Sequence, residues 1–167
     1  MKVKPAVSSI ALACVLASPL GFAGAALQAE RQVTLNASPA EVWETVGNFN
    51  GLHAWHPGVT NSELRKGSNN QVGAERLLTL GNGATISERL VGYSDSDRQY
   101  RYIILESPLP VRDYTSTLRV DSAANGQSRV TWNATFNAVG VSDDEAIKVI
   151  DGVYDGGLEQ LGRQFPQ

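Results

Sequence analysis

The sequence has a single cysteine, Cys14, among its 167 residues. One cysteine can form neither a disulfide within the chain nor a zinc site built from several thiolates. There are only two histidines, His53 and His56, and no third ligand lies at an evident spacing, so no metal site is predicted. No cofactor is predicted either, because the P-loop, dinucleotide-binding and nucleophile-elbow motifs are missing.

Positive charge is also scarce. The chain has 14 lysine and arginine residues against 17 aspartate and glutamate residues, a net charge of −3. An acidic chain does not attract nucleic acid or an anionic membrane, so neither is an expected partner. A small-molecule ligand is compatible with this composition. A protein partner and the oligomeric state are left open.

Long hydrophobic runs are missing as well. The apolar run at residues 10–17 is shorter than the about 20 residues that a membrane span needs. It follows Lys2 and Lys4 and precedes the small residues Ala23-Gly24-Ala25. Positive charge, a short apolar run and a small-residue cleavage pattern, in that order, are typical of a secretory signal peptide. We therefore predict a signal peptide over residues 1–25.

Cleavage there would leave residues 26–167 as one ligand-binding domain, long enough for a hydrophobic core, in the periplasm or outside the cell. It would remove Cys14, and the residues before Cys14 fit a lipoprotein signal poorly, so no lipid anchor is expected. Residues 26–30 are expected to form a short flexible lead.

Capping boxes mark the starts of two helices. Alternating residues at 31–36 predict a first strand, and Ser38-Pro39-Ala40-Glu41 then begins a short helix. The turn-rich segment 48–58 has room for one more helical turn. A second box, Ser142-Asp143-Asp144-Glu145, begins a long amphipathic helix that continues to Phe165.

Residues 59–137 contain about six strands separated by turn-rich segments. The element order is therefore strand, short helices, six strands and long helix. This order predicts an α+β domain in which an antiparallel sheet folds around the final helix.

Three polar side chains fall on the predicted inward face of this sheet. Because side chains alternate between the two faces of a strand, Arg76 shares the apolar face of segment 72–80. Glu88 likewise shares the apolar face of segment 84–91, and Tyr114 that of the strand after it. The apolar residues predicted to face inward with Arg76 are Val72, Ala74, Leu78 and Leu80. Alternation does not decide the orientation of residues 99–106, because both faces there carry large apolar side chains.

The register of the hairpin tests whether Arg76 and Glu88 meet. A two-residue Asn82-Gly83 turn would pair a core face with a solvent face, whereas a three-residue loop over 81–83 places Arg76 directly opposite Glu88. A buried ion pair is seldom the most stabilising way to fill a core, so these residues indicate a polar pocket. The alternative is an ion pair that closes one end of a solid core. The arginine should favour the charged form of Glu88, and Tyr114 could donate a hydrogen bond to a ligand.

Two further features leave alternatives open. Gly157 lies in the apolar arc of the final helix, where it provides room either for close contact with a neighbouring strand or for a cavity between helix and sheet. Trp55 and His56 lie in an aromatic loop and could form a pocket mouth or simply pack the loop.

With these residues in view, the chain resembles the START/Bet v 1-like (SRPBCC) superfamily and its polyketide cyclase/dehydrase family. This resemblance implies a helix-grip fold, in which a curved seven-stranded antiparallel sheet wraps around a long C-terminal helix over a hydrophobic cavity, with two short helices after the first strand. The motifs that carry it are Ser38 to Trp43, Gly51 to Pro57, Ile86 to Leu90, Ser107 to Val111 with Asp113-Tyr114, and the glycine-containing final helix.

Two kinds of relative are similar in detail. Lachrymatory-factor-synthase-like proteins use an inward arginine, glutamate and tyrosine, which resemble Arg76, Glu88 and Tyr114 here. A periplasmic accessory protein of methanol oxidation is similar in layout. Substrate is not transferred from any of them, because one fold hosts many functions.

Three hypotheses follow. The leading one is a periplasmic or secreted protein that binds a small hydrophobic molecule with a polar head. The second is an enzyme of cyclase, dehydratase or isomerase type, with Glu88, Arg76 and Tyr114 as its catalytic residues. The third is an accessory protein of a periplasmic oxidation system. The residues expected to line the ligand site are Trp55, His56, Leu78, Ile86, Leu109, Trp132, Tyr154 and Gly157.

Overall fold

The computed structural model describes residues 25–166, and this part of the chain forms a seven-stranded antiparallel sheet in the order β1-β7-β6-β5-β4-β3-β2. Its strands are β1 (Leu27–Leu35), β2 (Val59–Lys66), β3 (Glu75–Leu80), β4 (Thr85–Ser94), β5 (Gln99–Glu106), β6 (Val111–Ser122) and β7 (Ser128–Ala138). Helix α1 (Pro39–Val46) and a 3₁₀ segment (Phe49–Ala54) follow β1, and the long helix α2 (Asp143–Gln164) ends the domain. The predicted α+β helix-grip fold is confirmed.

The predicted signal peptide lies outside the described residues. Within residues 25–166, no helix is both long and apolar enough to cross a membrane.

Strand β1 begins earlier than the sequence predicted. Leu27 already pairs with Phe136 of β7, so residues 27–30 belong to the sheet and the expected flexible lead is wrong. The pairing strand lies about a hundred residues away in the sequence, and its backbone groups satisfy those of residues 27–30.

Local capping starts both helices. At α1, Glu41 N donates to Ser38 Oγ at 3.4 Å and Ser38 N donates to Glu41 Oε2 at 2.9 Å, which is a complete capping box. At α2, Glu145 N donates to Ser142 Oγ at 3.3 Å, but the reciprocal bond from the Ser142 backbone is absent among the described residues. The second predicted box therefore forms only its serine half.

The β3–β4 hairpin has the predicted register. Arg76 pairs directly with Glu88, and Leu80 N donates to Ala84 O across the three-residue loop at 2.8 Å. Gly83 adopts φ +84°, a left-handed conformation that glycine accepts without steric strain.

Val72 does not face inward as predicted. Strand β3 begins only at Glu75, and Val72 lies in the preceding loop with 66% of its surface exposed. Ala74, two residues later, is buried as expected. Alternation therefore fails at Val72 because the backbone there is no longer extended.

Helix α2 is fixed against the sheet by apolar packing and by ion pairs. Tyr154 stacks on Trp132 of β7, with ring centroids 4.5 Å apart and an interplanar angle of 16°. On the edge of the helix, Arg31 of β1 lies 2.5 Å from Asp151 and 3.1 Å from Asp155. These contacts set the position of the helix above the concave face of the sheet.

Gly157 is the point of closest approach. A Cβ atom built there would lie 2.7 Å from His56 Cδ2, 3.0 Å from Trp55 and 3.1 Å from Trp132. The glycine therefore makes room for three aromatic rings, which is the close-contact alternative rather than a cavity.

We predict that Gly157→Ala destabilises the protein. Crowding against rigid rings costs about 1–3 kcal/mol, which exceeds the gain of up to about 1 kcal/mol in helix propensity. The control is Gly162→Ala on the same helix, where a Cβ atom would meet nothing within 4 Å and stability should rise slightly. Urea unfolding measures both changes, and equal stability of the two variants would contradict the prediction.

Candidate functional site

A cavity of about 420 Å³ lies between α2 and the concave face of the sheet. Most of its wall is apolar and comes from three places. The sheet contributes Val59, Leu78, Leu80, Ile86, Glu88, Tyr102, Ile104, Tyr114 and Trp132; helix α2 contributes Val149, Ile150, Gly152, Val153 and Gly156; and the loops contribute Leu52, His56, Pro57, Gly58 and Leu109. This combination of an apolar space and a few polar groups is typical of a small-molecule site.

The predicted site residues divide between the cavity wall and the layer behind it. Those on the wall are His56, Leu78, Ile86, Glu88, Leu109, Tyr114 and Trp132. Those in the buried layer behind it are Trp55, Arg76, Tyr154 and Gly157. Within residues 25–166, no group of three or more histidine, cysteine, aspartate or glutamate side chains could hold a metal ion.

Sequence reasoning missed several wall residues. Tyr102 and Ile104 lie on β5, where side-chain alternation did not show which face points inward. The structure pairs Tyr102 with Leu90 of β4 and Ser116 of β6, and this register places Tyr102 on the inward face. Gly152 and Gly156 also line the cavity, and Gly156 directly precedes the tightly packed Gly157. Their glycine spacing along one helix face was the available signal.

Arg76 and Glu88 form a buried ion pair beside the cavity. Arg76 is 0% exposed, and its Nε donates to Glu88 Oε2 at 2.7 Å. Its Nη2 also lies 2.7 Å from the same oxygen, and its Nη1 donates to the carbonyl of Phe49. The guanidinium carbon lies 4.1 Å from the centroid of the Phe49 ring, a cation–π contact. Arg76 thus holds Glu88 and the 3₁₀ segment in place without reaching the cavity.

The two carboxylate oxygens of Glu88 have different surroundings. Oε2 accepts from Nε of Arg76 and lies 2.7 Å from its Nη2, which makes no hydrogen bond of its own among the described residues. Oε1 has no hydrogen-bond partner among the described residues, and Glu88 lines the cavity. Burial raises the pKa of Glu88 above its ordinary value, although the attraction of Arg76 opposes this. The pKa of Glu88 is therefore raised, whereas the sequence led us to expect that Arg76 would favour the charged form. That expectation took account of the arginine but not of the burial of Glu88. A raised pKa places the carboxyl group closer to the range in which it can exchange protons at neutral pH.

A chain of buried hydroxyls runs from the cavity into β7. Ser116 Oγ donates to the Asn133 carbonyl at 2.8 Å, so it can only accept from Tyr154 Oη at 3.0 Å. With its proton used there, Tyr154 accepts from Tyr114 Oη at 2.5 Å. Burial raises the pKa of Tyr114 well above its ordinary value, so its hydroxyl stays protonated. Tyr114 therefore donates to Tyr154 and not, as the sequence suggested, to a ligand.

His56 joins the loop before β2 to α2 at the edge of the cavity. Its Nε2 donates to the carbonyl of Val153 at 2.9 Å, and Gly58 N donates to its Nδ1 at 3.1 Å. Both bonds form only with the neutral ring protonated on Nε2. Burial lowers the pKa of His56 below its ordinary value because it desolvates the charged form, and the positive charge of Arg76 acts in the same direction.

We predict that His56 makes stability pH-dependent. Because its pKa is lowered on folding, its contribution is complete above the unfolded value of about 6.5 and is lost as the pH falls through the folded value. The difference in unfolding free energy between wild-type protein and His56→Gln should therefore shrink between about pH 7.5 and about pH 5. Denaturant unfolding across this range measures it.

The matched control is His53→Gln, because His53 is exposed on the same segment. A difference for His56→Gln that changes with pH no more than the difference for His53→Gln would contradict the assignment.

Comparison with known proteins gives a consistent result. A family model described as polyketide cyclase / dehydrase and lipid transport matches residues 26–165. The structure of XoxI from Bacillus cereus is 37% identical, with 83% of this chain and 95% of that one covered and a TM-score of 0.79. An uncharacterised protein from Bacillus thuringiensis is 36% identical, with 84% and 99% covered and a TM-score of 0.78. A protein from Thermobifida fusca is 33% identical, with 83% and 92% covered and a TM-score of 0.75.

Proposed function

The chain belongs to the polyketide cyclase/dehydrase and lipid transport family, and on that premise we propose that it binds a small hydrophobic molecule with a polar head. The apolar part of the ligand lies in the cavity beneath α2. Its polar head lies at the end where Glu88, Tyr102 and Tyr114 meet.

The observation that carries this proposal is the apolar wall of the recess beneath α2. The recess holds about 420 Å³, within the range of about 300–1,000 Å³ that is typical of ligand pockets, and aliphatic and aromatic side chains form most of its wall around the carboxyl group of Glu88. Natural cores are otherwise packed as densely as organic crystals.

The glycines of α2 support the same conclusion. Gly156 lines the cavity and is only partly exposed, and a Cβ atom there would meet nothing within 4 Å. Gly152 also lines the cavity but is exposed to solvent. A glycine costs the helix about 1 kcal/mol relative to alanine, and packing with the rest of the protein does not require one at position 156. Gly156 therefore leaves room for a ligand.

Glu88 favours a second candidate, an enzyme that catalyses an isomerisation, cyclisation or dehydration. Its Oε1 faces the cavity without a protein partner, and its raised pKa suits a general base. Arg76 would act as a positioning residue, since it touches Glu88 but does not line the cavity. Tyr114 would contribute a hydroxyl oxygen held by Tyr154.

We also propose a periplasmic or secreted location, which the charge and apolar pattern of residues 1–25 supports. A role as an accessory protein of a periplasmic oxidation system stays a prediction from the sequence.

We predict that protein isolated from its native compartment carries a small molecule, and that Gly156→Leu abolishes this binding by filling the cavity. The control is Gly162→Leu on the same helix, because Gly162 does not line the cavity. Native mass spectrometry should show an adduct on the wild type and on the control but not on Gly156→Leu. The same spectrum reports whether residues 1–25 have been removed. An adduct retained by Gly156→Leu would contradict the proposed site.

The enzyme candidate predicts that the protein accelerates the exchange of the α protons of a hydrophobic ketone such as tetralone for deuterium. Removing a general base typically costs about 100-fold or more in rate. Glu88→Gln should lose the acceleration, and Arg76→Met/Glu88→Gln should lose it too without leaving an unpaired buried charge. NMR follows the exchange. A wild-type rate equal to that in buffer would contradict the enzyme candidate.

A further inference from the structure

Three polar side chains of the cavity wall lie on neighbouring strands. Glu88 is on β4, Tyr102 on β5 and Tyr114 on β6, and all three line the cavity. The rings of Tyr102 and Tyr114 have centroids 6.2 Å apart. The hydrogen bonds that these groups already make decide which polar head they can still bind.

Tyr114 can only accept. Its proton is used in the bond to Tyr154, because the proton of Tyr154 is used at Ser116 and that of Ser116 at the Asn133 carbonyl. The hydroxyl oxygen of Tyr114 keeps a lone pair for a ligand.

Tyr102 can donate. Its oxygen accepts from Trp132 Nε1 at 3.0 Å, although Trp132 shares this proton with Ser116 Oγ at 3.1 Å. The two lone pairs of Ser116 Oγ face Trp132 and Tyr154, and among the described residues Tyr102 donates no hydrogen bond of its own. Burial raises the pKa of Tyr102 well above its ordinary value, so the hydroxyl keeps that proton.

Of the ion pair, only Glu88 lines the cavity, so the pair offers a ligand a hydrogen-bond acceptor. Oε2 faces Arg76, and the partner-free Oε1 belongs to a residue of the cavity wall. Arg76 is fully buried behind it and does not line the cavity, so a ligand meets the carboxylate and not the guanidinium.

From these three groups we infer that the polar head of the ligand is a neutral hydroxyl, as in an alcohol or a phenol. Such a group donates to Glu88 Oε1 or to Tyr114 and accepts from Tyr102 on the same oxygen. This inference rests on the proposed function and specifies the class of ligand.

Other polar head groups match Glu88, Tyr102 and Tyr114 poorly. A carboxylate would place a second negative charge beside Glu88 without offering a proton. While Glu88 is ionised, an ether or a ketone could accept from Tyr102 but would leave Glu88 Oε1 without a donor. Sites built to pair a hydroxyl discriminate strongly against analogues that lack it, because buried polar groups are then left unpaired.

The test uses four naphthalenes substituted at the same ring position: naphthol, methoxynaphthalene, naphthoate and methylnaphthalene. Isothermal titration calorimetry at mildly alkaline pH, which favours ionised Glu88, compares their affinities. We expect naphthol to bind about tenfold or more tightly than methoxynaphthalene and naphthoate. Tyr102→Phe should weaken naphthol binding and leave methylnaphthalene binding unchanged. The matched control is Tyr93→Phe on β4, because Tyr93 does not line the cavity.

The outcomes separate the two proposals. If naphthoate or methoxynaphthalene binds as tightly as naphthol, the inference about the head group is overturned while the proposed function stands. If Tyr102→Phe binds naphthol as the wild type does, the inference is also overturned. If none of the four compounds binds, the proposed function itself is contradicted.

Discussion

The buried pair of Arg76 and Glu88 is the interaction on which the site depends. Arg76 is entirely removed from solvent, and its charge is balanced by one carboxylate oxygen, one backbone carbonyl and the face of Phe49. Desolvating two charges is expensive, and apolar residues often stabilise a core as well or better. The contribution of the pair is to hold the surrounding elements in position. It joins β3, β4 and the 3₁₀ segment at one point, and it occupies one oxygen of Glu88 while Glu88 lines the cavity.

Helix α2 determines the shape of the cavity through its glycines. At Gly157, three aromatic rings approach so closely that no side chain fits, and the helix is held against the sheet. The preceding residue, Gly156, lies on the cavity wall, and a Cβ atom there would meet nothing within 4 Å. Two consecutive glycines therefore serve different purposes, one for close packing and one for the open space of the cavity. The ion pairs of Arg31 and the Tyr154–Trp132 stack hold this stretch of the helix in place beside the open space.

Membership of the polyketide cyclase/dehydrase and lipid transport family establishes the architecture but not the ligand. The ligand class that we infer rests on the hydrogen bonds of the polar residues in the cavity wall. Because Tyr114 has given its proton to Tyr154 while Tyr102 has kept its own, two tyrosines of similar burial differ in what they offer a ligand. Glu88 adds an acceptor whose counter-ion is out of reach.

The sequence by itself determined the features that depend on neighbours along the chain or on one hairpin. The capping serines begin both helices, and the three-residue loop sets the register that pairs Arg76 with Glu88. Only the tertiary structure decided the inclusion of Leu27 in β1, the exposure of Val72, the inward turn of Tyr102 and the direction of the hydroxyl chain from Tyr114. It also separated Gly157 from the cavity glycines. The physical reason is that these depend on strands and rings distant in sequence, whose packing side-chain alternation along one strand does not contain.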